Sequence, residues 1–192
     1  MRKLSTYLFL VLFAFQTPSL ADDIRDFQIE GMSVGDSLLD YVAKDEIEKK
    51  KKYFYKSKEY ASMSKGDPSF ETYGGFQVHF KDNDKKYIIQ SLKGMILYKD
   101  NIKDCYKKYN EVVEELTDFF EDTIKSNEKK IDHTYDKSGK SKITFVKFTF
   151  NSGDFIEIAC VDWSKELSYN DKLYVLIMTK KMQDWLNKDS NY

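Results

Sequence analysis

The chain has 192 residues, with 31 basic and 32 acidic side chains, two Cys, two His and two Pro. Leu, Ile, Val and Phe make up about 26% of it, above the roughly 20% under which a chain stays disordered, so a packed core is within reach. A formal net charge of −1, with Arg2 and Arg25 as the sole arginines, argues against nucleic acid as a partner, because phosphate and base recognition draw on a basic, guanidinium-rich face.

Arg2 and Lys3 precede the apolar run Tyr7 to Phe15, then Gln16-Thr17-Pro18 and Ser19-Leu20-Ala21. A charged start, a short apolar stretch and a small-x-small end read as a signal peptide over 1–21, cleaved after Ala21. The apolar run is too short for the roughly 20 residues that a membrane-spanning helix needs, and no later segment is longer, so no membrane span is expected in the mature chain. The rest, 22–192, reads as a single α+β domain.

Beyond Gly31, Ser33 with Asp36 three residues on resembles a capping box and predicts a helix from Val34 to about Lys50, with Val34, Leu38, Leu39, Tyr41 and Val42 inward. The run Lys49 to Lys52 reads as its solvated, dipole-matched end, with an acidic-lipid patch as the alternative. Lys51 to Met63 reads as a strand, broken by Lys65-Gly66-Asp67-Pro68. Phe76 to Phe80 and Lys86 to Tyr98 alternate around Asp82-Asn83-Asp84, which predicts an antiparallel hairpin. From Ile102 to Ile124 the apolar positions recur at helical spacing, with Asp100 or Asn101 as cap.

The last third carries the clearest strand signal, at about Lys129 to Tyr135, Ser141 to Phe150, Asp154 to Trp163 and Lys172 to Thr179, with short polar turns that favour antiparallel neighbours. Met182, Trp185 and Leu186 suggest a short closing helix. The order suggests two amphipathic helices packed on an antiparallel sheet, open to reading as a duplicated α-β-β-β unit.

An exported chain with two cysteines usually pairs them. Cys105 lies on the inward face of the second helix and Cys160 on a strand face with Ile156 and Ile158, so a helix-to-sheet disulfide is predicted. Two buried free thiols and one reactive thiol are the alternatives. No motif for a metal, a cofactor, a phosphate loop or a nucleophile is present, so a non-catalytic chain is expected. His79, on a polar strand phase, and His133 read as surface residues, and Glu114-Glu115 as a solvated face. Most aromatics fall on inward phases. Tyr98, Tyr106, Trp163 and Tyr169 stand beside loops and are the candidate ligand contacts.

At Asp26 to Tyr41 (DFQIEGMSVGDSLLDY), Asp104 to Leu116 (DCYKKYNEVVEEL) and Phe155 to Ser164 (FIEIACVDWS), the chain resembles uncharacterised exported proteins of AT-rich marine alphaproteobacteria. The resemblance implies a periplasmic home and the Cys105 to Cys160 pair, and carries no activity. The leading expectation is a soluble periplasmic or secreted interaction module that binds an envelope protein or peptide, with the lysine-rich 51–58 strand as an accepting edge. The alternative is a small-ligand carrier with an aromatic-lined pocket, and a third reading is an enzyme with a dispersed acid/base pair.

Overall fold

The computed structural model describes residues 23–99, 101–120 and 123–189; the expected signal peptide and its cleavage point lie outside them. The fold is α+β and mostly sheet. Eight antiparallel strands run β1 (Tyr60–Lys65), β2 (Gly75–Lys81), β3 (Ile89–Tyr98), β4 (Ile124–Lys125), β5 (Lys129–Asp132), β6 (Lys142–Thr149), β7 (Phe155–Asp162) and β8 (Asp171–Met178), with helices α1 (Lys44–Lys50), α2 (Ile102–Phe119) and α3 (Lys180–Asp189). Across the sheet the order is β1-β2-β3-β8-β7-β6-β4, and β5 also pairs with β6. Two meanders therefore meet at β3–β8.

The hairpin and the C-terminal meander form where the sequence places them; the second helix begins at Ile102 as expected but ends at Phe119, and Ile124–Lys125, expected at its end, pair with β6 as strand β4 instead. Among the described residues there are three helices, the expected closing helix being α3, and those leading into the two meanders are unequal, seven residues against 18, so the strand order does not by itself establish a repeated unit.

The predicted helix from Val34 does not form. Gly35 has φ 93, Gly35 N donates to Ile89 O at 2.9 Å, Ile89 N to Asp36 O at 2.9 Å, and Leu38 N to Tyr87 O at 3.1 Å. Backbone committed to the start of β3 cannot also make helical bonds, so only a 3₁₀ turn, Leu38–Asp40, and the short α1 remain. Asp36 still accepts from Ser33 N at 2.8 Å, as in a capping box. Val34, Leu38 and Val42 are buried as expected, whereas Leu39 and Tyr41 are exposed.

The expected strand from Lys51 shrinks likewise. Lys52 makes a single bridge to Ser62, residues 53–59 form turns and extended chain, and the strand proper begins at Tyr60.

Each strand sends alternate residues to opposite faces. On one face α2 buries Cys105, Tyr109, Val112 and Leu116 against Val146, Phe148, Ile156, Ile158, Leu173, Val175 and Ile177, together with Ile29, Met32, Leu38 and Ile47. Cys105 and Cys160 form the predicted staple there, with Cα atoms 6.1 Å apart. On the other face α3 packs Met182 and Trp185 over Tyr60, Phe155 and Met178. Ten helical residues span about 15 Å, and seven strands side by side about 29 Å, so α3 covers one end of that face. No described helix is long and apolar enough to cross a membrane.

Candidate functional site

The candidate site lies on the α3 face beyond the reach of α3. One row crosses five strands in register: Leu97, Lys172, Val161, Ile143 and Ile131. Leu97 is 60% exposed and Ile131 45%. A lysine thus stands between Leu97 and Val161 in an otherwise apolar row. Two rows nearer α3, Lys93 faces Leu176, which faces Glu157, which faces Lys147. The row between holds Met95, Tyr174, Ala159 and Phe145.

The lysines of this face lie over aromatic rings. The Nζ of Lys93 is 4.6 Å from the Tyr174 ring centre, that of Lys147 4.2 Å from Phe155, and that of Lys172 5.7 Å from Trp163. Such stems cover apolar surface while the ammonium gains from the ring quadrupole. The carboxylate among these rows, Glu157, is already engaged: it accepts from Tyr174 Oη at 2.7 Å and pairs with Lys147 at 3.3 Å. Among the described residues no carboxylate lies within ion-pair distance of Lys93 or Lys172. Burial pushes Lys93 down to about 8, the Lys172 ammonium pushes the same way, and Glu157 opposes both. Burial lowers Lys172 as well. Two amines therefore carry a desolvation cost that no ion pair among the described residues offsets, Glu157 acting on Lys93 only from beyond ion-pair distance.

At the far end of the face the rings of His133 and Trp163 lie 4.2 Å apart, Trp163 and Tyr169 5.0 Å, and Tyr135 and Tyr169 6.1 Å. Their loops are tied together through Asp136. It accepts the N–H and the hydroxyl of both Ser138 and Ser141, the N–H bonds at 2.9 Å and the hydroxyl bonds at 2.6 Å. These bonds hold its carboxyl well below the usual range. Ser141 Oγ in turn accepts from Ser164 N, and Trp163 N donates to Asp171 Oδ1, both at 2.9 Å.

The four candidate contacts divide. Trp163 and Tyr169 join this cluster, whereas Tyr98 and Tyr106 lie on the opposite face, packed against the α2 core, with Tyr106 Oη 3.3 Å from Thr144 Oγ1. Neither histidine is a plain surface residue: His79 is 8% exposed beneath Tyr55 and the α3 end of the face, and His133 is half-buried against Trp163. Glu114 and Glu115 are exposed.

Sequence reasoning missed Lys93, Lys172, Tyr174, Glu157 and Tyr135. One signal was available. Leu173 to Met178 is an unbroken apolar run, the mark of a strand buried on both faces, and a lysine beside it on β8 or opposite it on β3 is out of place. Among the described residues no three metal-ligating side chains stand together. Compared with family models, with curated proteins and with solved structures, the chain matches none.

Proposed function

We propose that this chain is an exported, non-catalytic binding protein whose α3 face takes a small amphipathic anion. Its apolar body lies along Leu97, Ile143, Trp163 and Ile131, and its charged oxygens meet Lys93 and Lys172. The observation that carries the reading is a pair of part-buried amines, Lys172 within the apolar row that ends on exposed Leu97 and Ile131 and Lys93 two rows nearer α3, neither with a carboxylate within ion-pair distance among the described residues. An anion supplies the missing counter-charge, and its apolar part removes Leu97 and Ile131 from water at about 25 cal/mol per Å². Export rests on the charged and apolar start of the chain and on the paired cysteines, which fit an oxidising compartment.

Laurate, titrated against the mature chain from Asp22 with 1-dodecanol as its uncharged counterpart, tests this reading. We expect laurate to bind at least tenfold more tightly than dodecanol, and the Lys93→Met/Lys172→Met double variant to erase that preference while folding normally. Equal affinity for the two probes in the wild type, or an unchanged preference in the variant, refutes it.

A second reading, an interaction module for an envelope protein or peptide, is favoured by the β4/β5 edge. All four residues of β5 are exposed, and Ile124 on β4 is 73% exposed. A partner strand could add there by main-chain hydrogen bonds. The lysine-rich 51–58 segment is not a strand and offers no such edge.

A further inference from the structure

At the opposite edge of the sheet, beside β1, lies a cavity of about 320 Å³ lined by Lys49, Lys50, Lys51, Lys52, Phe54, Ser62 and Ser64. The chain leaves α1 at Lys51 in extended conformation, and Lys52 N donates to Ser62 O at 2.7 Å while Ser62 N donates to Lys52 O at 2.8 Å. This bridge lays the lysine run along the outer edge of β1. Two of the four ammonium groups are neutralised: Lys50 pairs with Glu46 at 2.7 Å, and Lys51 with Glu48 at 2.9 Å and Asp82 at 3.1 Å. Lys49 and Lys52 have no carboxylate within ion-pair distance among the described residues.

A helix end accounts for lysines that meet the negative pole of the backbone dipole, but it accounts neither for the cavity nor for its floor. Ser62 is 2% exposed, and its hydroxyl has no hydrogen-bond partner. A buried hydroxyl without a partner costs about 1–3 kcal/mol, so such a group marks a place for a missing acceptor or donor. Phe54, 55% exposed, walls the other side.

We infer that this cavity binds a phosphate group, whose negative charge is met by the two unpaired ammonium groups of Lys49 and Lys52 and one of whose oxygens accepts from the Ser62 hydroxyl. The site is separate from the α3-face strip, and its occupant does not need an apolar body. The shared chemistry is the phosphate; it can be free, on a soluble ester, or on a lipid headgroup.

Calorimetric titration of the mature chain with inorganic phosphate, alongside sedimentation with phosphatidylglycerol vesicles and with phosphatidylcholine vesicles, tests the assignment. Saturable binding of inorganic phosphate, weakened at least tenfold in Lys49→Gln/Lys52→Gln and at least threefold in Ser62→Ala, supports a soluble phosphate. Binding to phosphatidylglycerol vesicles alone, lost in the same variants, supports a headgroup. Absence of both, or binding that the variants leave unchanged, overturns the inference. Laurate affinity should stay unchanged in all three of these lysine and serine substitutions, which separates a failure here from a failure of the α3-face reading.

Discussion

His79 illustrates how a residue on the polar phase of a strand can end in the interior. Its phase is opposite to Phe76, Val78 and Phe80, which face α2, so the alternation reads correctly; the error lies in taking the second face for solvent. Tyr55 and the α3 end of the molecule close over it, and its Nδ1 is left without a partner. Burial takes His79 from its ordinary 6.5 to about 4, and the Lys93 ammonium pushes the same way. The folded chain therefore releases the imidazole proton more readily than the unfolded chain does. Stability from this group is present in full above about 6.5 and falls as the pH drops toward 4, by about 3 kcal/mol. Urea midpoints measured between pH 7 and pH 4.5 should fall in the wild type and fall much less in His79→Gln. Parallel curves for the two proteins would contradict the burial of a neutral imidazole. Asp136 is the second residue whose role the sequence hides, because Asp136-Lys137-Ser138-Gly139 reads as a turn, and nothing local shows that Asp136 also binds Ser141.

At the scale of elements, legibility follows the range of the forces involved. The start and inward face of α2 could be read because its apolar spacing and the Asn101 cap are both local, whereas its end could not, because Ile124 is drawn into pairing with Thr149 of β6. The C-terminal meander could be read because Gly139 and Gly153, at φ 70 and 85, sit in short turns between alternating runs. The stretch from Ser33 to Lys50 could not, because what unwinds it is pairing of residues 35–38 with residues 87–89, a contact about fifty residues away that no local pattern announces. The candidate site was half legible: Trp163 and Tyr169 were singled out beside loops, but the register that sets Lys172 between Leu97 and Val161 exists only once the two meanders join. The disulfide between α2 and β7 closes a separation of 55 residues, and chain entropy assigns such a staple about 4 kcal/mol. The Cys105→Ala/Cys160→Ala variant should lose stability of that order in urea, and reduced wild type should match it. A loss under about 1 kcal/mol would show that the unfolded chain is not constrained by this link.

For the whole molecule, the near-balance of 31 basic and 32 acidic residues conceals an uneven distribution. The α3 face carries Lys93, Lys147 and Lys172 over aromatic rings, with Glu157 as the carboxylate among their rows, while the face beneath α2 is sealed by packing and by the disulfide. The α2 face is thus closed by packing and the disulfide, and the α3 face is left, beyond α3, with exposed Leu97 and Ile131 and with Lys93 and Lys172 outside ion-pair distance of any carboxylate among the described residues. The most direct measurement is the titration of the Lys93 amine itself, followed by NMR of ¹³C-dimethylated lysines assigned through Lys93→Met. The account predicts that Lys93 titrates near 8 in the free protein and moves upward by at least one pH unit when laurate is bound. A Lys93 that titrates as an ordinary surface lysine, or one that laurate leaves unmoved, would contradict it.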